Sequence, residues 1–126
     1  MTRRILVFGS RAFPDPQMVA DVLFRVVDSE DILMHGACPT GPDAWADEWW
    51  ATWQGGPPVE RYPADWDEYG KAAGPIRNWR MANLLDPACD IALGFWDGQS
   101  RGTLNMLTEV GRVGAACRLY VARRSL

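Results

Sequence analysis

The stretch I-A-L-G-F-W-D-G-Q-S-R-G-T-L-N-M-L-T-E-V, residues 91–110, decides the fold. Its first part is a continuous apolar run, and with Asp90 in front of it this run is typical of a buried strand over 90–96. After a polar segment, apolar residues return at helical spacing as Leu104, Leu107 and Val110. The stretch therefore predicts a strand, a tight loop, and a helix that begins near Gly102 and ends near Val113.

The loop in this stretch has the composition of an anion site. A strand–loop–helix junction directs backbone N–H groups and the positive end of the helix dipole at one spot, which suits a phosphate or a carboxylate. Glycines let the main chain approach a ligand and polar side chains add donors, so the candidates are Gly98, Ser100, Arg101, Gly102 and Thr103. Trp96 can stack on a base or pack under the loop. The alternative is a glycine turn before a helix capped by Ser100 or Thr103.

A second polar turn follows the first apolar run of the chain. Ile5–Phe8 predicts a buried strand, and Gly9, Ser10 and Arg11 follow it directly as further ligand-binding candidates. The remaining predicted strands are 31–36, 59–62 and 118–122, and the strand 59–62 is expected at an edge of the sheet. The remaining predicted helices are 15–28, 44–53 and 74–85. The first begins with a capping Asp15 and Pro16, and the second ends before Gly55-Gly56-Pro57-Pro58. Residues 63–70 are predicted to form a loop or short turn.

Short apolar strands that alternate with helices predict a doubly wound α/β fold, a Rossmann-like parallel sheet of about five strands with helices on both faces. In such sheets ligands bind beyond the carboxyl ends of the strands, where the strand order reverses. With the order 3-2-1-4-5, the reversal falls between the first and fourth strands. The turns at Ser10 and Gly102 then meet in one crevice, which favours an anionic ligand.

Several other residues have a structural and a functional interpretation. His35, the only histidine, is predicted to be a strand-end residue hydrogen-bonded to the main chain, and Gly36 beside it to admit a ligand. Asp43 is predicted to cap the second helix, and Asp47 to face solvent. The stripe Trp45, Trp49 and Trp53, with Trp50 beside it, is predicted to face the core or a dimer partner.

The length and composition of the chain limit the classes of function that it can have. The chain has 126 residues, which predicts one domain over 1–126, and its net charge of −3 argues against a general nucleic-acid binder. No apolar run has the roughly 20 residues of a membrane span, and the N-terminus lacks the pattern of a signal peptide, so we expect a cytoplasmic protein without a membrane partner. The three cysteines form no C-x-x-C pair, so neither a metal site nor a cofactor is predicted. The many tryptophans favour a homodimer.

Five motifs in order are similar to those of a known family. They are G-S-R from Gly9, H-G-A-C-P-T-G-P-D-A-W-A-D-E-W from His35, R-Y-P-A-D-W from Arg61, G-P-I-R-N from Gly74 and G-Q-S-R-G-T from Gly98. Together they resemble the YspA or YpsA-related branch of the SLOG superfamily. The resemblance implies a Rossmann-like domain that binds a nucleotide or a nucleotide-derived ligand. It favours Arg77 and Asn78 as residues that bind phosphate and ribose over the alternative, a solvated helix face. Its relatives include the LOG phosphoribohydrolases, the DNA-processing protein DprA and ligand-sensing domains.

The comparison with the LOG enzymes leaves the reaction open. Those enzymes carry an arginine four residues before a methionine, as Arg77 precedes Met81 here, and a G-T-x-x-E loop whose glutamate assists bond cleavage. Here Gly102-Thr103 is followed by L-N-M, and no acid appears before Glu109. The first hypothesis is therefore binding of a nucleotide or ADP-ribose-like ligand, in a sensing role. The alternatives are a nucleotide N-glycosidase that uses Arg77 with Asp65 or Glu109 and, third, a DprA-like binder of single-stranded DNA.

Overall fold

A computed structural model describes residues 2–53 and 58–122. The strands are β1 Arg4–Gly9, β2 Ile32–His35, β3 Val59–Arg61, β4 Ile91–Trp96 and β5 Ala116–Val121. The helices are α1 Pro16–Val26, α2 Pro42–Trp53, α3 Trp66–Tyr69, α4 Ala73–Leu84 and α5 Arg101–Val113, with a 3-10 turn Gly70–Ala72 between α3 and α4. The predicted helix break at 55–57 lies outside the described residues.

The sheet is parallel and has the order β3-β2-β1-β4-β5. β1 lies at its centre, with Ile5 opposite both Leu33 of β2 and Ile91 of β4. The predicted order 3-2-1-4-5 and the Rossmann-like α/β class are therefore confirmed, and the strand order reverses between β1 and β4 as predicted. Each helix that follows a strand begins at the carboxyl edge of the sheet, because the strands all run in one direction.

The sheet buries side chains on both of its faces. Alternate residues of β1 point to opposite sides: Ile5 and Val7 join a core that includes α1 and α2, and Leu6 and Phe8 join a core that includes α4 and α5. This alternation follows from the two-residue repeat of a strand, and it confirms the helices on both faces. None of the helices within the described residues is long and apolar enough to cross a membrane.

The tryptophans of α2 are arranged differently from the predicted stripe. Trp50, which was expected beside the stripe, is the fully buried member, while Trp45, Trp49 and Trp53 are partly buried against the same core. The rings of Trp49 and Trp53 stack with centroids 4.9 Å apart. The prediction that these tryptophans face the core therefore holds, but the most buried of them is Trp50 and not a member of the predicted stripe.

Helix ends follow the capping residues in most places. Asp15 accepts a hydrogen bond from the Met18 amide at 3.0 Å, and Ser100 accepts one from the Thr103 amide at 3.2 Å, so α1 and α5 begin where a cap was expected. Asp65 caps α3 in the same way, through the Glu68 amide at 3.1 Å. The predicted loop 63–70 therefore contains one helical turn, which is too short to show an apolar period in the sequence.

Candidate functional site

A crevice of about 700 Å³ opens where β1, β2 and β4 end. Its position is the one that the reversal of strand order creates. The predicted ligand-binding residues that line it are Gly9, Arg11, Gly36, Arg77, Asn78, Ser100, Arg101, Gly102 and Thr103. Ser10, Trp96 and Gly98 do not line it. They shape its rim, as their contacts show.

The two polar turns are joined by a buried contact. The Ser10 hydroxyl oxygen lies 3.1 Å from that of Thr103, and it accepts a hydrogen bond from the Asp97 amide at 3.0 Å. The Ser10 amide donates to the carbonyl of Phe95 at 2.9 Å. The turn after β1 and the start of α5 therefore lie side by side at one edge of the sheet.

The loop before α5 is held by its own side chains. One oxygen of Asp97 accepts hydrogen bonds from the amides of Gln99 and Ser100, both at 2.9 Å, and these donors hold the pKa of the Asp97 carboxyl below its usual range. Gly98 has a φ of 86°, a left-handed conformation that favours glycine. The Trp96 indole N–H donates to the Ser100 carbonyl at 3.1 Å, so this ring supports the loop from outside the crevice.

The first two residues of α5 line the crevice, and their amides have no acceptor among the residues that the structure describes. Among residues 2–53 and 58–122, the amides of Arg101 and Gly102 make no hydrogen bond, whereas the next amide, that of Thr103, is taken by Ser100. Unpaired N–H groups at a helix start carry the positive end of the helix dipole. This part of the crevice is therefore suited to an anion.

Arg77 crosses from α4 to the end of β2. Its Nη1 donates to the carbonyl of Gly36 and, at 3.3 Å, to that of Tyr62. A Cβ on Gly36 would lie 2.7 Å from Cζ of Arg77, so glycine at this position makes room for the guanidinium. Nη2 makes no hydrogen bond to the described residues, and it can therefore donate to a ligand.

Asn78 connects Arg77 to α5. Its side-chain oxygen accepts from Nε of Arg77 at 3.0 Å, and its amide donates to the Gly102 carbonyl at 3.3 Å and to Oδ1 of Asn105 at 2.9 Å. The side chain is buried and all of its polar atoms are used. Asn78 therefore holds the two helices and Arg77 in register, and Asn105, which sequence reasoning did not select as a site residue, lines the crevice.

Asp43 is a site residue that the sequence prediction assigned wrongly. It is not the cap of α2, because the helix begins one residue earlier, at Pro42. Its Oδ2 accepts hydrogen bonds from the amides of Gly36 at 3.1 Å and Cys38 at 3.3 Å. The residue is only 4% exposed, and burial raises the pKa of its carboxyl. A buried carboxyl thus lines the crevice beside the end of β2.

An apolar wall faces the polar loops. It contains Trp66 of α3, Pro75 and Met81 of α4, and Phe8 of β1. Trp66 is 50% exposed, and one edge of its ring lies 3.4 Å from the place where a Cβ on Gly74 would be. An aromatic face next to a cluster of polar donors is an arrangement that can hold a base. Trp66 ends the R-Y-P-A-D-W motif, but nothing local in the sequence predicts that its ring lines the crevice.

The two acids predicted to assist Arg77 lie outside the crevice. Asp65 caps α3 and borders a separate hollow of about 120 Å³, which Arg77 also reaches. Glu109 forms an ion pair with Arg112 at 3.0 Å on α5. The structure therefore brings neither of these carboxylates into the crevice with the predicted phosphate donors.

His35 supports the loop that follows β2. Its Nδ1 accepts from the amide of Ala37 at 2.9 Å, so in the neutral ring Nε2 carries the proton and donates to Asp47 at 2.6 Å. Asp47, predicted to face solvent, also pairs with Arg61 through two hydrogen bonds of 2.7 and 3.0 Å. Arg61 first, and then His35, lower the pKa of the Asp47 carboxyl. The structural interpretation of His35 therefore holds, with a carboxylate as its second partner.

Comparisons with known proteins found a family and a relative of this chain. A sequence model of the YspA, cpYpsA-related SLOG family (YAcAr) matches residues 3–69. The chain is also 35% identical over 118 residues to a protein of Mycobacterium phage D29 called Gene 61 protein, and the alignment covers 89% of this chain and 91% of that relative. No solved structure matches the chain at a significant level.

Proposed function

The chain belongs to the YspA, cpYpsA-related SLOG family, and we propose that its crevice binds a nucleotide or a nucleotide-derived ligand such as ADP-ribose. Membership of a SLOG family supports a nucleotide-related function. The observation that carries the proposal is that Arg101 and Gly102 line this crevice while their amides make no hydrogen bond to the described residues. A volume of about 700 Å³ lies within the range of about 300–1,000 Å³ for small-molecule sites.

The phosphate group binds at the start of α5. The amides of Arg101 and Gly102 donate to its oxygens, and the helix dipole favours its negative charge. Arg11, from the turn after β1, lines the same crevice, and Nη2 of Arg77 supplies a further donor. This set of donors combines main-chain N–H groups with guanidinium groups, which are well matched to phosphate.

The other end of the ligand lies against the apolar wall. The base stacks on Trp66, whose ring is half exposed, and contacts Met81 and Phe8. Asp97 accepts hydrogen bonds from ribose hydroxyls, because only one of its two oxygens accepts hydrogen bonds from the described residues. In this proposal each part of a nucleotide therefore has its own part of the crevice.

A binding panel tests the proposal. The ligands are AMP, ADP-ribose, NAD, cyclic AMP, inorganic phosphate and ribose 5-phosphate, measured by calorimetry and by thermal shift. A nucleotide at 100 times its Kd should stabilise the protein by about 2.7 kcal/mol. If no phosphorylated ligand binds, the proposal is wrong.

Two substitutions at one position separate the amide from the side chain. Arg101→Ala removes the guanidinium and keeps the N–H, whereas Arg101→Pro removes both. Proline fits here because Arg101 is the first helical residue and Ser100 before it is extended, with ψ 121°. We expect Arg101→Pro to bind the nucleotide about tenfold more weakly than Arg101→Ala, the value of one hydrogen bond to a charged group. Equal affinities of the two variants would place the phosphate elsewhere.

A further inference from the structure

The hollow at the end of β3 is a second space, separate from the crevice. Its polar lining consists of Arg61, Tyr62, Asp65, Tyr69, Arg77 and Arg80. Its volume is about 120 Å³, whereas sites for whole small molecules measure about 300–1,000 Å³. A water molecule in the liquid occupies about 30 Å³. The hollow therefore accommodates a small ion or one group of a larger ligand, but not a nucleoside.

Positive charge is in excess around this hollow. Arg77 and Arg80 form no ion pair with any described residue. Arg61 shares its charge with Asp47, which accepts hydrogen bonds from its Nε at 2.7 Å and its Nη2 at 3.0 Å. Among the described residues that line the hollow, Asp65 is the one carboxylate. The hollow is therefore positively charged, although the whole chain has a net charge of −3.

The sequence of α4 explains why two of these charges stay unpaired. The helix reads A-G-P-I-R-N-W-R-M-A-N-L and contains no aspartate or glutamate, so it offers its arginines no partner three or four positions away. In α5, by contrast, Arg112 pairs with Glu109 at 3.0 Å. Arg77 and Arg80 are three positions apart and line the same hollow, and like charges at this spacing repel each other. A bound anion would remove this repulsion.

The arginines also keep N–H groups that the fold does not use. Within the described part of the chain, Nε and Nη1 of Arg80 and Nη1 of Arg61 make no hydrogen bond. The Arg80 guanidinium lies over the ring of Tyr69, with Cζ 5.8 Å from the centroid, and its Nη2 donates to the Tyr69 hydroxyl at 3.4 Å. This contact orients Arg80 at the hollow. Guanidinium groups that come from a strand and a helix can each bind a different oxygen of a tetrahedral oxyanion.

We propose that this hollow binds a phosphate group, at a site separate from the crevice. Arg77 and Arg80 supply the charge, Arg61 supplies a further N–H, and Tyr69 orients Arg80. The site does not rest on the proposed function, because Arg61, Tyr69 and Arg80 do not line the crevice. Arg61 and Arg80 are exposed, so the hollow is open to a free phosphate ion and to a phosphate ester whose remainder extends into solvent.

A residue-resolved titration tests the proposal. Inorganic phosphate is added to ¹⁵N-labelled protein at constant pH and ionic strength, and the shifts of the Tyr69 amide report on the hollow while those of the Gly102 amide report on the crevice. We expect saturable binding at Tyr69. Arg80→Gln should weaken it about tenfold or more, the value of hydrogen bonds to a charged group, and leave the titration of Gly102 unchanged. The matched control is Arg25→Gln, at an exposed arginine of α1 on the other face of the sheet, which should change neither titration.

Two further variants test the chemistry of the hollow. Asp65→Asn removes its carboxylate and keeps a residue that caps helices well, so phosphate should bind about two- to fivefold more tightly. Arg80→Lys keeps the charge and removes the planar fork, so binding should be weaker than in the wild type. Equal binding by Arg80→Lys and the wild type would contradict recognition by the guanidinium.

The remaining outcomes decide whether the site exists and what it takes. Equal affinity of the wild type and Arg80→Gln at Tyr69, or shifts at Tyr69 that do not saturate, overturn the inference. Saturable shifts at Gly102 alone overturn it and leave the proposed function standing. Acetate that binds at Tyr69 as tightly as phosphate would overturn the choice of phosphate. Methyl phosphate separates the two sources: equal affinity assigns the site to an esterified phosphate, and affinity at least about tenfold lower assigns it to the free ion, which has one more oxygen for the arginines.

Discussion

The hydroxyl groups of Ser10 and Thr103, 93 positions apart in the chain, lie 3.1 Å from each other in the interior. This contact joins the turn after β1 to the first turn of α5 at the point where the strand order reverses. Ser10 also accepts from the Asp97 amide, and Thr103 donates to Ser100, so the two hydroxyls hold both ends of the loop before α5. The rim of the crevice is therefore built from side-chain hydrogen bonds between its two halves.

Removing either hydroxyl should destabilise the protein. Ser10→Ala leaves the partly buried Asp97 amide without its acceptor, and we expect a loss of about 1–3 kcal/mol in the free energy of unfolding, measured by urea denaturation. Thr103→Val should cost a similar amount. Because the two share a hydrogen bond, the double variant should lose less than the sum of the two, by about 0.5–1.5 kcal/mol. Additive losses would mean that the two hydroxyls act independently.

A matched substitution on the same helix controls for the loss of a hydroxyl. Thr108 is exposed, and its hydroxyl donates to the Leu104 carbonyl of its own helix at 3.0 Å. Thr108→Val should therefore change the free energy of unfolding by no more than about 0.5 kcal/mol.

Replacing Gly36 by alanine should be far more harmful than making the same substitution at Gly111. An alanine methyl at Gly36 would lie 2.7 Å from Cζ of Arg77, so Gly36→Ala should displace this guanidinium and weaken nucleotide binding. At Gly111, inside α5, a methyl would meet no atom within 4 Å. Gly111→Ala should therefore stabilise the protein by about 0.5–1 kcal/mol. Calorimetric titration with AMP and urea denaturation measure the two effects, and a Gly36→Ala variant that binds AMP as the wild type does would contradict the role of Arg77.

Replacing Asp43 by asparagine should increase stability at neutral pH. Burial raises the pKa of this carboxyl, so its ionised form is disfavoured in the folded protein. Below about pH 3.9, the ordinary pKa of an aspartate, the group is protonated in both states and the substitution should change little. Between that pH and the raised pKa of Asp43 in the folded protein, the wild type loses stability relative to Asp43→Asn as the pH rises. Above the raised pKa, the difference in the free energy of unfolding stays constant.

Urea denaturation of both proteins at several pH values measures this difference. If Asp43→Asn instead destabilises the protein by an amount that grows with pH, the folded state favours the charged form of the Asp43 carboxyl.

The elements that the sequence predicted are those set by local chemistry. The parallel, doubly wound sheet followed from alternating strands and helices, and α1 begins where Asp15 and Pro16 indicated. The helix α3 was not predicted, because a helix of four residues is too short to show an apolar period. Its capping residue, Asp65, is recognised as a cap only once the helix is known. Local signals therefore suffice for the framework of the fold and for the loop before α5.

The residues that sequence reasoning missed depend on contacts between distant segments. In the sequence Asp43 resembles a helix cap, and only the structure shows that the amides of Gly36 and Cys38 donate hydrogen bonds to its side-chain oxygen. Asn78 was predicted to contact the ligand, and its contacts with Arg77 and with two residues of α5 more than twenty positions away could not be seen in the sequence. Such roles have no local pattern, because they arise only when three strand ends meet.

Trp66 should contribute to binding of the base and not of the phosphate. Stacking of a base on an aromatic ring is worth roughly 1–3 kcal/mol, so Trp66→Ala should weaken AMP binding by about 5- to 150-fold. It should leave the affinity for ribose 5-phosphate unchanged, because that ligand has no base. Trp66→Phe should retain much of the affinity for AMP. Trp79→Ala, at an equally exposed tryptophan that does not line the crevice, should leave both affinities unchanged.

The comparison of the two ligands by calorimetry decides what Trp66 does. Equal weakening of AMP and ribose 5-phosphate by Trp66→Ala would mean that the ring supports the shape of the crevice through its contact with Gly74. An unchanged affinity for AMP would place the base elsewhere. Selective loss of AMP binding fixes the direction of the ligand, with the base at α3 and the phosphate at α5, because ribose 5-phosphate then keeps every contact that AMP makes except the one with this ring.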